Sequence, residues 1–263
     1  VDEHERAGLR HGAHHHQQER DALHGEAVYA GEHPASNRSS VLMRPGAKRV
    51  LTLILGTAGL GYLALCVAAY LAQDALVYPG RLSVRPLRVL ERIDVDGKAV
   101  LGYREGTAGG PVLVHFHGNG EQLADEEWLA QQFTAAGVTF VGVEYPGYGL
   151  AAHLGPPREH SLIESSIAAL EHLTNVKGIA RERLILSGQS LGSGVATQLA
   201  ARGWGRKLFL MTPYTSLPDV GARTLPFLPV RLLMRDHFDS KAVAPSVQQP
   251  VLIVHGTRDE VVP

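Results

Sequence analysis

The sequence predicts an α/β fold, a mostly parallel sheet with helices on both faces, preceded by one transmembrane helix. Three observations carry this. Val50 to Ala72 is a run of 23 residues without a charge. From Arg88 onward, short β-branched runs alternate with amphipathic stretches, and strands that alternate with helices pair in parallel. Gly188-Gln-Ser-Leu-Gly192 falls between one such strand and one such helix. The 263 residues suit one large domain with a tail. Lys plus Arg number 25 against 26 Asp plus Glu, so there is no electrostatic case for a nucleic-acid partner. One cysteine excludes an internal disulfide framework and a CxxC zinc site. No metal, nucleotide or flavin motif is visible, and no cofactor is expected.

Residues 1–49 are polar. Seven of the 14 histidines fall within residues 1–42, with few large apolar residues between them. Such a stretch buries too little surface to offset its ordering entropy and reads as a disordered tail. His11, His14, His15 and His16 could share a helical face and hold a divalent metal, but composition favours a plain tail and no metal site is expected. Met43, followed by Arg-Pro-Gly-Ala-Lys-Arg49, reads as a natural translation start.

Residues 50–72 are long enough for a helix to cross a bilayer core, which takes about 20 apolar residues. The apolar run exceeds a usual signal-peptide core, which favours a retained anchor. Lys48 and Arg49 abut its start, and Gln73 and Asp74 abut its end. Basic flanks stay cytoplasmic, so the remainder, residues 77–263, is expected on the non-cytoplasmic side.

In that remainder, strands are expected near Arg88–Val95, Ala99–Arg104, Val112–His117, Thr139–Glu144, Arg183–Ser187, Lys207–Thr212 and Pro250–His255. Helices are expected at Glu121–Ala136, Ser161–Thr174 and Leu191–Ala201. Ser161 with Glu164 reads as a capping box, and Ile163, Ile167 and Leu170 as an apolar stripe. The first two strands have no helix between them and read as an antiparallel lead-in.

Gly188-Gln-Ser190-Leu-Gly192 matches G-x-S-x-G. A strand that turns directly into a helix must fold sharply, and bulky side chains two residues either side of the turn would collide. Gly188 and Gly192 relieve that crowding and lift the Ser190 hydroxyl above the sheet edge. The helix N-terminus behind it offers free N–H groups to developing negative charge. His117-Gly118-Asn119-Gly120 ends an earlier strand, where the Asn119 amide can join the N–H of Leu191 as an oxyanion hole. His117 precedes the serine, and in the chain order of such sites the base comes last, so it is read as a loop-shaping residue. Asp259 follows the final strand, at the sheet end where functional groups gather, and would orient the base. Glu260 is its neighbouring fallback.

Together with Glu144-Tyr-Pro-Gly-Tyr-Gly149, Thr212-Pro-Tyr-Thr-Ser216 and His255-Gly-Thr-Arg-Asp259, these motifs resemble the α/β-hydrolase superfamily from about Val77 to Pro263. Within it, the chain looks most like the membrane-anchored serine hydrolases with depalmitoylase-like and peptidase-like members. The resemblance implies hydrolysis of an acyl ester, thioester or amide through an acyl-enzyme on Ser190, with Asp259 as the acid. The substrate would be a small molecule or an acylated protein. The family's catalytic histidine follows the acid, and no histidine follows His255 here. The chain is therefore expected to be C-terminally incomplete, nearly inactive as written, and left with an exposed sheet edge. Residues 216–249 hold the only stretch long enough for a lid, with the apolar Leu225–Met234 within it. That stretch could meet an acyl chain or the bilayer, or could simply be a helix packed on the sheet. The competing reading of the whole is a non-catalytic, membrane-anchored binding protein on the same fold.

Overall fold

The computed structural model describes residues 44–82, 84–260 and 262. The histidine-rich tail, its clustered histidines and the Met43 start lie outside the described residues. Helix α1 runs Pro45–Val77, longer at both ends than the expected 50–72 span, so residues 45–49 are helical rather than tail. Pro45 sits where a helix needs no N–H donor. Beyond Ala72 the helix continues because Gln73 and Asp74 find partners in the domain. At about 1.5 Å per residue, α1 is roughly 50 Å long. It is the one helix among the described residues long and apolar enough to cross a membrane.

Among the described residues seven strands follow: β1 (Glu91–Val95), β2 (Ala99–Arg104), β3 (Val112–Phe116), β4 (Thr139–Glu144), β5 (Leu184–Gln189), β6 (Lys207–Met211) and β7 (Val251–Val254). They form one sheet in the order β1-β2-β4-β3-β5-β6-β7. The first two pair antiparallel, and β2 pairs antiparallel with β4. The remaining pairs are parallel. The crossover helices are α2 (Glu127–Ala135), α3 (Glu159–Glu171) and α4 (Leu191–Ala201), followed by the short α5 (Leu217–Thr224), α6 (Val230–Leu233) and α7 (Ser240–Val243). Every residue of β3 and β4 is buried, as two-sided coverage of a parallel sheet demands. The four apolar residues of β7 are 46–60% exposed, and β7 is the outer strand among those described.

Two helix starts differ from expectation. α2 begins at Glu127 rather than Glu121. Residues 121–126 instead form turns, with Asp125 N–H on the Gln122 carbonyl at 2.8 Å and Glu126 N–H on the Leu123 carbonyl at 3.1 Å. α3 begins at Glu159, so Ser161 is not its N-cap. The Ser161 hydroxyl accepts the Arg158 N–H at 3.0 Å, while Asp236, 77 residues away, accepts the Glu159 N–H at 3.1 Å. A tertiary carboxylate thus does the work expected of a local cap. α3 also ends earlier, at Glu171, where the backbone widens into a π-turn over His172–Val176. Its stripe holds: Ile163 and Leu170 are buried, and Ile167 packs against the same core.

Candidate active site

Because β3, β5, β6 and β7 run parallel, the loops after them share one edge of the sheet. The sequence-predicted residues emerge there: Gly118 and Asn119 after β3, Ser190 after β5, Asp259 after β7. Ser190 has φ 48° and ψ −114°, a left-handed conformation that strains a residue with a side chain. The strain is held by its surroundings. The Ser190 N–H donates to the Met211 carbonyl on β6 at 3.0 Å, and its carbonyl accepts the Ser193 hydroxyl at 2.6 Å.

The two motif glycines are required by crowding. A Cβ on Gly188 would overlap the Gly192 carbonyl, and a Cβ on Gly192 would overlap the Phe116 carbonyl at the end of β3. α4 therefore packs its first turn directly on the β3 loop. Leu191, as the first residue of α4, has an N–H with no carbonyl inside its helix to bind. Ser190, Leu191 and Asn119 all face one apolar cavity of about 350 Å³, within the roughly 300–1,000 Å³ usual for small-molecule sites.

The loop that carries Asn119 is pinned from several sides. Its carbonyl accepts the Tyr148 hydroxyl at 2.9 Å and the Gly80 N–H at 3.2 Å. Its side-chain amide donates to the Val77 carbonyl at the end of α1, at 3.3 Å. The Tyr145 hydroxyl donates to the His117 carbonyl at 2.8 Å. Burial pushes the Tyr145 phenol well above its usual range, so it stays a donor. His117 is buried, with Nε2 3.1 Å from a Glu144 carboxylate oxygen and Nδ1 2.8 Å from the Gly118 carbonyl. Burial alone would lower its pKa. The hydrogen bond and charge of Glu144 outweigh that, and the net shift is upward from 6.5. Both ring nitrogens are thus engaged, which ties the loop to the end of β4.

Asp259 lies in the loop after β7, where its Oδ1 accepts the Val262 N–H at 2.8 Å and its Oδ2 is 3.5 Å from His255 Nε2. That same His255 nitrogen is 2.7 Å from the Val262 carbonyl. Asp259 is not among the residues lining the Ser190 cavity. Sequence reasoning missed Glu121. Its two carboxylate oxygens receive the Gly118 N–H at 2.6 Å and the Gln189 side chain at 2.9 Å, tying the Asn119 loop to the Ser190 turn. Reading it as a helical residue hid this; its position one residue after the glycine loop was the available signal. Also missed was the wall that α1 contributes to the cavity, through Ala69, Gln73, Leu76 and Val77. Among the described residues no group of His, Cys, Asp or Glu is placed to hold a metal.

A family profile described as an alpha/beta hydrolase domain matches residues 110–262. An uncharacterized protein of Mycobacterium tuberculosis is 35% identical over 171 residues, covering 64% of this chain and 60% of that protein. Protein bem46 of Schizosaccharomyces pombe is 27% identical over 183 residues, covering 67% of this chain and 60% of that protein. The chain spans about 60% of the length of these curated relatives. Among solved structures, an alpha-beta hydrolase from Vibrio vulnificus superposes with a TM-score of 0.56 at 18% identity, covering 69% of this chain and 74% of that one. Est1E from Butyrivibrio proteoclasticus does so with 0.51 at 18%, covering 67% and 81%. At these identities the likeness establishes the fold.

Proposed function

The chain belongs to the alpha/beta hydrolase domain family, and on that premise we propose that it is the body of a membrane-anchored serine hydrolase acting on acyl esters or thioesters. One observation carries the reading: Ser190 stands in a strained left-handed turn between β5 and α4, facing an apolar cavity together with Asn119 and Leu191. A serine held in such a turn presents its hydroxyl to a ligand in place of pairing it within the fold.

In the proposed reaction, Ser190 Oγ attacks the acyl carbonyl carbon. Its proton passes to a histidine base, which the family resemblance places after Asp259 in the chain. The N–H groups of Asn119 and Leu191 stabilise the oxyanion, and rigid donors of this kind contribute about 3–4 kcal/mol each. The bond from the acyl carbon to the leaving oxygen or sulfur breaks, and the base returns its proton to that atom. Water then repeats the sequence on the acyl-enzyme. Asp259 orients the base and stabilises its protonated form. In this reading α1 is the anchor, and the basic residues next to its start favour a domain on the non-cytoplasmic side.

The test is to read the frame downstream of the Pro263 codon, express the full-length chain and treat it with a fluorophosphonate probe. Labelling at Ser190 that vanishes in Ser190→Ala supports the hydrolase. If the full-length chain resists labelling and hydrolyses no acyl ester, the non-catalytic binding protein is the reading to keep. Protease digestion of spheroplasts tests the orientation: a domain left intact places it in the cytoplasm.

A further inference from the structure

The cavity beside Ser190 is not closed by the hydrolase domain alone. Its far wall is the last two turns of α1, through Ala69, Gln73 and Leu76, facing Leu225 and Leu228 from the loop between α5 and α6. The α5–α6 hairpin lies along α1 over a long distance. At its upper end, the Gln73 side chain donates to the Leu233 carbonyl at 3.3 Å and accepts the Arg235 N–H at 2.9 Å. At its lower end, the Tyr62 hydroxyl donates to the Phe227 carbonyl at 3.0 Å. Tyr62 is eleven residues before Gln73, about 17 Å down the helix axis at 1.5 Å per residue.

Those 17 Å belong to the uncharged run that ends at Ala72, so the tip of the hairpin stands beside the part of α1 suited to hydrocarbon. Its composition matches that depth. Phe227 is 58% exposed and Leu232 86% exposed, while Leu228 and Val230 pack with Cys66 of α1. Arg223, in the last turn of α5, is exposed near the tip, and the paired charges gather toward the other end. Asp74 pairs with Arg158 and Arg235, at the height where the apolar run stops. Arg231, on the hairpin, is paired with Asp219 at 2.8 Å. The cavity is thus an apolar slot bounded by α1 and the hairpin, with Ser190 in its lining, while Phe227 and Leu232 stand exposed on the same hairpin outside that lining.

We propose that this slot is an acyl channel open sideways to the bilayer, so that the substrate is a long-chain acyl ester or thioester drawn from the membrane with its chain lying between α1 and the α5–α6 hairpin. This rests on the serine hydrolase reading above. The scissile carbonyl sits at Ser190 and the leaving alcohol or thiol departs on the aqueous side. Ester plus water gives fatty acid plus alcohol or thiol, with no further reactant. The acyl chain need never cross water, which removes the cost of exposing its methylenes.

The experiment uses the full-length chain in phosphatidylcholine vesicles with three substrates: p-nitrophenyl butyrate, palmitoyl glycerol and an S-palmitoylated peptide. The expected result is a kcat/KM at least tenfold higher for one or both palmitoyl substrates than for the butyrate, and which of the two is cleaved identifies the leaving group. Ala69→Phe, which fills the slot, lowers the palmitoyl-to-butyrate ratio at least tenfold. A second measurement does not depend on that variant folding. A fluorophosphonate with a sixteen-carbon tail and a terminal diazirine is bound to Ser190 and photolysed, and its cross-link should fall within residues 58–69 or 225–233. Butyrate cleavage without a palmitoyl preference, or cross-links elsewhere, overturns the channel and leaves the hydrolase standing. No labelling of Ser190 by either a short or a long fluorophosphonate overturns the hydrolase, and the channel with it.

Discussion

Single residues at this site are constrained by contacts a few ångströms away, and their consequences are correspondingly sharp. Ser190→Ala removes only one hydroxyl that projects into a cavity, so it should cost little stability while lowering acyl-ester turnover at least about a thousandfold. Gly192→Ala is the opposite case. Its Cβ meets the Phe116 carbonyl, backbone that cannot move without shifting β3, so denaturant unfolding should show a loss of about 1–3 kcal/mol. His117 makes a pH prediction. Its folded pKa is raised above 6.5 by Glu144, against the opposing effect of burial. A raised pKa means folding takes up a proton, so the pair's contribution is fully present below pH 6.5 and is lost as pH rises through the folded value. Stability measured against pH should fall across that window, and Glu144→Gln should flatten the fall. The serine, its two glycines and the Asn119 loop were legible in the sequence because a strand-to-helix turn imposes its own residue types. Glu121 was not, because its role depends on Gly118 and Gln189, which approach from two different strands.

Elements are where local pattern and tertiary contact part company. The strands appear within a few residues of where alternation and β-branching place them, since a buried parallel strand advertises itself as a short apolar run. Helix starts were less legible. The Asp236 carboxylate caps α3 from 77 residues away, and no local signal records that. The end of α1 is a similar case. Asp74 holds Arg158 and Arg235, and Gln73 holds the backbone at Leu233 and Arg235. The Asp74 hydrogen bond raises the Arg158 guanidinium above its usual range, against a smaller opposing effect of burial. Asp74→Ala leaves two guanidinium groups without their shared partner and should destabilise the domain by about 1–3 kcal/mol. Limited proteolysis should then cut between Thr224 and Arg235 faster than in the parent chain.

At the scale of the whole molecule, α1 is both the apolar span and a wall of the cavity beside Ser190. An anchor that merely tethers could be exchanged for any other apolar helix; on the proposal above, α1 could not. Full-length protein should stay in the membrane pellet through alkaline carbonate extraction. Replacing residues 50–77 by an unrelated apolar helix should keep it there yet reduce hydrolysis of palmitoyl substrates at least tenfold, because Ala69, Gln73 and Leu76 would be lost from the wall. Retention of full palmitoyl turnover would show that the wall is dispensable.

The sequence by itself determined the class of fold, the direction of the described strands, the apolar span and the turn that carries Ser190. Each of these follows from short-range periodicity or from the steric demands of one tight turn. Only the tertiary structure decided where α3 begins, how Glu121 ties the Asn119 loop to the Ser190 turn, and that α1 and the α5–α6 hairpin enclose the cavity together. Those features depend on side chains 68 to 165 residues apart meeting in space. Contacts at such separations leave no period in the sequence, because what selects each partner is the path of the backbone between them.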